Sequence, residues 1–155
     1  MQVNRSLPDK AMDHIDHALG RPLDPLQESY RNYFAAGQSL AIEMGQSPYW
    51  CFNGRPPGDN ALSFFSVTDA GRAALAEYLK QIGDPHRAFI VSYQGTSTTV
   101  VATSRSKARR SYYLDIADVM PDLTYGDFLR KAKVHVVVPL RKVADEERSK
   151  QEASA

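Results

Sequence analysis

The sequence predicts an α+β protein built from two modules, and three observations lead to that fold class. Residues 1–84 contain apolar positions at helical spacing, with one pair of aromatic, strand-like runs among them. Residues 85–143 change to β-branched runs that surround a single basic helix. The net charge changes from −3 over residues 1–84 to +4 over residues 85–155. We therefore expect a winged-helix-like module over 1–84, a β-β-α-β module over 85–143 and a disordered tail over 144–155.

Three helices are predicted before the aromatic runs. The first lies in "LPDKAMDHIDHALGRP", where Pro8 suits the first turn and a glycine followed by a proline closes the helix. The second lies in "DPLQESYRNYFAAG", with Asp24 as N-cap and a proline at the first helical position. Its predicted buried stripe consists of Leu26, Tyr30, Tyr33 and Phe34. A third, shorter helix is predicted around residues 40–44.

Two aromatic runs, "YWCF" and "ALSFFSV", flank the loop "NGRPPGDN" and predict a hairpin with a long tip. Thr68 then caps a helix in "TDAGRAALAEYLKQIG". Three helices, a two-stranded wing and a following helix give the winged-helix-like order. The predicted recognition helix has Glu43 and no Lys or Arg, and the wing holds only Arg55. We therefore expect a structural or protein-binding module here rather than one that reads DNA.

The second module begins with a β-hairpin, because "RAFIVSYQ" and "STTVVAT" flank Gly95. The basic segment "SRSKARRSYYLDIADV" follows as a helix. A short helix comes next in "TYGDFLRKA", which Asp122 or Thr124 caps, and the Val-rich run "KVHVVVPL" predicts a last strand. Together these elements predict a small sheet with a helix laid across it.

The basic helix carries its charges against the helix dipole, which favours acids at the N-terminus and bases at the C-terminus. Four cations come first and three aspartates follow, with no acidic residue three or four positions from any of the cations. At about 100° per residue, the predicted core stripe consists of Ala108, Tyr112, Ile116 and Val119. Tyr113 falls outside this stripe, so we expect its ring to be exposed.

Two interpretations of this helix start stay open. In the first, the arginines lie over the sheet with their charges in solvent, and the helix start is only a surface. In the second, the free amides after Ser104 or Ser106 and the cations bind an anion, either nucleic-acid phosphates or acidic side chains. The candidate binding residues are Arg105, Lys107, Arg109, Arg110, Tyr113, Lys131 and Lys133, with Tyr113 as a stacking contact. Three further cations would widen the surface: Arg130, Arg141 and Lys142.

No residue pattern predicts catalysis, a metal site or a cofactor. Asp13 and His17 stand four positions apart in the first helix, a spacing that suits chelation. Like the adjacent His14 and Asp16, they point away from the apolar stripe, so we expect a solvated helix face. Cys51 lies between two aromatic residues and is expected to be a buried small hydrophobe. We therefore expect a protein that is not an enzyme.

The single cysteine excludes an internal disulfide framework and fits a reducing cytoplasm. No apolar run approaches the ~20 residues that a membrane helix needs. The start, "MQVNRSLPDK", lacks the apolar region of a signal peptide. We therefore expect a cytoplasmic protein with no membrane partner.

Three segments, "ESYRNYF", "FFSVTDAGRAAL" and "VVATSRSKARRSYYLDIADV", resemble small accessory proteins of bacteriophage and prophage genomes. The shared pattern is an Arg-Asn-aromatic helix, a Val-Thr-x-Ala-Gly-x-x-x-Leu helix start and a strand that leads into Ser-x-Ser-Lys-Ala-Arg. The resemblance implies a phage or mobile-element accessory protein, of a kind that often acts as a small regulator or inhibitor. Together with the basic helix start, it leads us to expect an accessory binding protein in the cytoplasm of a bacterial host that acts on nucleic acid or on a host or phage nucleic-acid-binding machine. The alternative is an anti-CRISPR-like inhibitor of a host defence complex that works by protein–protein contact alone.

Overall fold

The computed structural model describes residues 1–27 and 29–137. It confirms the α+β class, with five helices and two three-stranded antiparallel sheets in these residues. The chain divides into two compact units, of which one spans Met1–Asp84 and the other begins at Pro85. Among the described residues, no helix is both long and apolar enough to cross a membrane. The tail predicted over 144–155 lies outside the described residues.

The first unit combines three helices with one of the sheets. Its elements are α1 (Lys10–Ala18), β1 (Phe34–Ala36), α2 (Gln38–Gln46), β2 (Trp50–Gly54), β3 (Ser63–Val67) and α3 (Asp69–Gln81). The strand order is β1-β3-β2. Asp9 and Thr68 cap α1 and α3, because each side chain accepts the N–H of the residue three positions later. The hairpin, α2 and α3 are confirmed, and α1 begins two residues after Pro8.

The helix predicted in "DPLQESYRNYFAAG" is wrong, because distant hydrogen bonds hold its described residues, 24–27 and 29–37, in turns and extended chain that lead into β1. The Asn32 side chain makes the two hydrogen bonds to β3 that the backbone of a neighbouring strand would otherwise make. Its amide donates to the Val67 carbonyl at 3.1 Å, and its oxygen accepts the Val67 N–H at 2.7 Å. Arg72 of α3 donates to the Pro25 carbonyl at 3.0 Å. The Asn32 contacts satisfy the Val67 N–H and carbonyl, which would lose this partner if Asn32 lay in a local helix.

Because the described residues of this segment form no helix, the predicted winged-helix order loses its second helix. The likeness to a winged helix therefore stays a prediction. The predicted stripe is also wrong, since three of its members are exposed: Leu26, Tyr30 and Tyr33. Phe34 does pack on the core, but as a residue of β1 that pairs with Phe65 of β3.

The core of the first unit lies on the sheet face that the helices cover. Val67 of β3 packs with Ile15 of α1 and Leu75 of α3, both of which are fully buried. Phe65 of the same strand packs with Met44 of α2. Because alternate residues of a strand share a face, the three helices cover the same side of the sheet.

The first unit also buries a charge that the sequence predicts to be solvated. Asp16 of α1 has no exposed surface, and its two carboxylate oxygens accept from the Arg5 guanidinium at 2.6 and 2.9 Å. Arg5 also donates to Asp84 at 3.0 Å and to the Pro22 carbonyl at 2.9 Å. The prediction of a solvated face is therefore wrong for Asp16.

The second unit contains the other sheet and two helices. Its elements are β4 (Arg87–Tyr93), β5 (Thr96–Ala102), α4 (Arg105–Ala117), α5 (Tyr125–Lys131) and β6 (Lys133–Val136). The strand order is β5-β4-β6, and both pairings are antiparallel. Gln94 and Gly95 both have positive φ, at 48° and 81°, which suits a tight hairpin turn between twisted strands. The predicted hairpin and both helices are confirmed, and the last strand is confirmed over Lys133–Val136, whereas its predicted residues 138–140 lie outside the described residues.

Helix α4 lies across the sheet of the second unit and contacts its three strands and α5. Ala108 and Tyr112 are buried against β-strand residues and Phe128 of α5. Ile116 is partly buried against the same cluster. The predicted stripe is wrong only at Val119, which is 77% exposed because α4 ends two residues earlier.

Candidate functional site

The candidate site is the basic start of α4, which consists of Arg105, Lys107, Arg109 and Arg110. Strand β5 ends at Ala102, and Ser104 then caps the helix. The Ser104 hydroxyl accepts the Lys107 N–H at 3.2 Å, and its carbonyl accepts the Ala108 N–H at 3.0 Å. This cap fixes the helix start at Arg105, so all four cations lie in the first two turns.

Three of these cations face solvent, since Arg105, Lys107 and Arg110 are all exposed. Within the described residues, none of the four cations forms an ion pair with a carboxylate. The first turn of α4 contains no acid and its last turn no base, so the helix dipole opposes the charge distribution. The structure therefore presents unneutralised positive charge at the positive end of a helix.

Arg109 differs from the other three because it lies over the core. It is partly buried, and its Nε is inaccessible and has no hydrogen-bond partner in the described part of the chain. A buried donor of this kind costs about 1–3 kcal/mol. Its neighbour Ala108 is fully buried, which places Arg109 at the edge of the helix face that packs on the sheet. Only the end of the Arg109 guanidinium is left to meet a ligand.

Tyr113 is partly buried between α4 and α5, so the prediction that its ring is exposed is wrong. Its hydroxyl donates to the Leu123 carbonyl at 3.0 Å. Its ring lies 5.0 Å from the Tyr125 ring and 5.6 Å from the Phe128 ring, centroid to centroid. Tyr113 thus joins α4 to α5 rather than offering a free face to a base. The Arg110 guanidinium lies 5.9 Å from the centroid of the same Tyr125 ring, which orients that cation.

The two remaining candidates lie outside the basic start of α4. Lys131 is exposed at the end of α5, the helix that α4 contacts. Lys133 pairs with Ser92 across β6 and β4, whereas the next residue, Val134, packs into the core under α4. Because strand residues alternate between faces, Lys133 lies on the sheet face away from α4. The predicted surface is therefore divided, and Arg141 and Lys142 lie outside the described residues.

Asp13 and His17 have other partners in the first unit. Arg21 donates to Asp13 at 2.7 Å, and this hydrogen bond holds the pKa of Asp13 below its usual value. The His17 ring lies edge-on to Phe34, with centroids 6.0 Å apart. Although His17 is exposed, partial desolvation of its ring, and then the positive charges of Arg31 and Arg21, lower the pKa of His17. No group of three His, Cys, Asp or Glu that could hold a metal ion occurs in the described residues.

A second surface feature, which the sequence reasoning missed, is an apolar groove of about 340 Å³ beside α2. Its lining comes from α2, β2, β3 and the loop that joins these strands: Gln38, Ala41, Ile42, Gly45, Phe52, Arg55, Ala61, Ser63 and Phe65. Ile42 is 64% exposed and Phe52 is 57% exposed. Cys51, which the sequence predicts to be buried, is exposed on the same strand. The two aromatic runs of the hairpin are the sequence signal that could have indicated this groove, but such runs are equally typical of strands in a core.

Comparison with protein-family models, curated proteins and solved structures found no match for this chain.

Proposed function

We propose that this protein is a non-enzymatic binding protein whose basic start of α4 contacts the phosphates of a nucleic acid. One observation carries the proposal: Arg105, Lys107 and Arg110 are exposed at a helix N-terminus, with no carboxylate neighbour in the described residues. Each such cation opposes the helix dipole and costs a few tenths of a kcal/mol. A polyanion would remove that cost and would release condensed counterions as the cations bind.

The charge of the second unit supports the same proposal. Its described residues, 85–137, contain twice as many Lys and Arg as Asp and Glu. The surplus lies mainly in α4 and α5, whereas the first unit is acidic overall. Such a distribution directs an approaching polyanion to the second unit rather than to the whole surface.

A salt titration of binding tests this function. The full chain is mixed with labelled duplex DNA, single-stranded DNA and RNA at ~50 to ~200 mM salt, and fluorescence anisotropy gives the affinity. We expect binding at ~50 mM salt that weakens steeply as salt rises, with a log–log slope of about −0.9 per neutralised phosphate on duplex DNA. Failure to bind all three nucleic acids at ~50 mM salt would show that this function is wrong.

Two double variants test whether the interface with nucleic acid lies at the basic start of α4. Arg105→Glu with Lys107→Glu should weaken binding and lower the magnitude of the salt slope by about 0.9 for each phosphate that is no longer neutralised. Lys10→Glu with Lys80→Glu makes the same change of charge at two exposed lysines of the first unit and should leave the slope unchanged. If both pairs weaken binding equally, net charge alone is responsible and the interface lies elsewhere.

A second candidate function is inhibition of a host complex through protein–protein contact alone. The exposed apolar groove beside α2 favours it, because Ile42 and Phe52 present apolar surface that a protein partner would cover. A phage or mobile-element origin stays a prediction from the resemblance. A protein partner whose binding depends on Ile42 but not on Arg105 and Lys107 would favour this second candidate over nucleic-acid binding.

A further inference from the structure

The edge of β2 has backbone groups that point away from its own sheet. Thr68 donates to the Tyr49 carbonyl at 2.9 Å, so residue 49 faces β3. Val67 instead directs its N–H and carbonyl to Asn32, on the β1 side. In an antiparallel ladder these directions alternate along each strand. Since Phe52 pairs with Phe65 two residues further along, the Phe52 N–H and carbonyl point outward from the edge.

The apolar groove lies directly beside this edge. The Phe52 ring belongs to the sheet face that α2 covers, and it meets the Phe65 ring with centroids 5.5 Å apart. Ile42 of α2 stands on the other side of the groove and is mostly exposed. A strand added next to β2 would place the side chain opposite Phe52 on the same face, because directly opposed residues share a face. That side chain would enter the groove.

The charge of the groove indicates which charged side chain an added strand would need. Among the described residues that line the groove, Arg55 is the one that carries a charge. Its Nε donates to the Ala61 carbonyl at 3.0 Å, and its Nη2 lies 3.3 Å from the Asp59 carbonyl, so the loop holds the guanidinium in place. Its Nη1 has no hydrogen-bond partner in the described residues. An acidic side chain on the partner would complement this cation.

We propose that the β2 edge and the groove bind an extended peptide segment of a partner protein, which joins the sheet as a fourth strand. The peptide places one large apolar side chain in the groove and an acidic side chain beside Arg55. Backbone hydrogen bonds to Phe52 give affinity, and the groove selects the side chain. This docking mode deepens the second candidate function and uses none of the residues at the basic start of α4.

The first test selects ligands for the full chain from a display library of ten-residue peptides with randomised positions, washed at ~150 mM salt. We expect enrichment of peptides with one large apolar residue and an Asp or Glu two positions away, since residues two apart share a strand face. No enrichment would contradict the proposal. Enrichment of cationic peptides, or of apolar residues at the helical spacing of three and four, would contradict it as well.

The second test asks whether the selected peptide binds as a strand. Two versions are synthesised, with N-methyl groups on alternate amides in the two possible registers. Only one set of amides faces β2, so one version should lose at least ~10-fold in affinity while the other keeps it. Equal affinities of the two versions would overturn strand addition.

Matched variants then test the groove and its occupant. Ile42→Gln should weaken peptide binding about tenfold, because a polar side chain replaces apolar surface that the peptide covers. Leu114→Gln, at a similarly exposed apolar residue of α4, should not change it. If the protein instead forms a dimer in sedimentation runs that Ile42→Gln abolishes, the occupant is a second copy and the peptide proposal is wrong. The nucleic-acid affinity of Ile42→Gln should equal that of the unmodified chain. Failure of the peptide proposal can therefore be distinguished from failure of the nucleic-acid proposal.

Discussion

Arg5 and Asp16 form a buried ion pair that organises the start of the first unit. The guanidinium meets both carboxylate oxygens of Asp16 and reaches Asp84 and the Pro22 carbonyl as well. Such a pair contributes little net stability relative to apolar residues of the same volume, but the loss of one partner leaves the other charge buried with weaker compensation, from Asp84 for Arg5 and from Arg21 for Asp16. The pair therefore fixes where residues 1–7 and the end of α1 lie relative to each other.

Replacing Asp16 with Asn measures that role. Asp16→Asn keeps the volume and removes the charge, so we expect the free energy of unfolding to fall by about 3 kcal/mol. Asp9→Asn is the matched control, since Asn caps a helix as well as Asp does. Urea unfolding followed by fluorescence of Trp50, the single tryptophan, reports on the first unit. A decrease below ~1 kcal/mol would show that Asp84 and Pro22 suffice to hold Arg5.

We expect His17 to make the stability of the first unit sensitive to acid. Its pKa is lowered from 6.5 in the folded state, first by partial desolvation of the ring and then by Arg31 and Arg21. The unfolded chain therefore binds a proton more readily than the folded one. The stability contributed by neutral His17 is present above about pH 6.5 and is lost as the pH falls through the lowered folded pKa.

The expected result is a smaller pH dependence in the variant His17→Gln. Between about pH 6.5 and 5 its free energy of unfolding should fall less than that of the unmodified protein, as measured by urea unfolding at each pH. The comparison at about pH 8, where His17 is neutral in both states, supplies the control for any effect of the substitution itself. Parallel pH profiles would contradict the assignment.

Among the helices and strands, α3 approaches β3 at Gly71, although glycine has a low helix propensity. A Cβ on Gly71 would lie 2.7 Å from the Tyr49 carbonyl oxygen and 2.7 Å from Val67 Cγ1. Both contacts are too short, and the carbonyl belongs to the backbone, so the helix would have to move. Gly45 in α2 has nothing within 4 Å of the same position.

These two glycines form a matched pair. Gly71→Ala should destabilise the first unit by about 1–3 kcal/mol through overpacking. Gly45→Ala should stabilise it by about 0.5–1 kcal/mol, because alanine costs less backbone entropy in a helix. Thermal and urea unfolding give both values. If Gly71→Ala also stabilises the protein, α3 does not need its close approach to β3.

Elements whose signals are local could be predicted from the sequence, and those fixed by distant partners could not. Ser104, Thr68 and Thr124 cap their helices within four residues, and the sequence therefore located α3, α4 and α5. The segment 24–37 has equally good local helix signals. Its structure is decided by Asn32 bonding to a strand 35 residues away, which no local pattern records.

The candidate site divides in the same way. The positions of the cations at the start of α4 follow from the cap and the helical period, and three of the four, Arg105, Lys107 and Arg110, are exposed. The position of Lys133 depends on which face of β6 meets the core, and the burial of Tyr113 depends on where α5 packs. Both are tertiary facts. The groove beside α2 likewise arises from the docking of one helix on a hairpin, and the sequence shows only its aromatic residues.

At the scale of the whole molecule, two units carry separate hydrophobic cores and opposite net charge. Leu75 belongs to the core of the first unit and Phe128 to the core of the second, and both are fully buried. The residues of these cores divide at the same boundary, Asp84 to Pro85, where the charge changes sign. We infer that the two proposed functions belong to different units, with phosphate binding in the second and peptide docking in the first.

Because the two cores are separate, we expect a substitution in one core to destabilise mainly its own unit. Leu75→Ala should cost about 2–5 kcal/mol and Phe128→Ala about 3–5 kcal/mol, each mainly in its own unit, because each substitution creates a cavity in a separate core. Hydrogen exchange measured by mass spectrometry should show faster exchange in residues 1–84 for the first variant and in residues 85–137 for the second. In the same variants, nucleic-acid affinity should survive Leu75→Ala and decline with Phe128→Ala, since Phe128 supports the packing of α4. Faster exchange throughout the chain in either variant would show that the two units unfold together and that their functions are not separable.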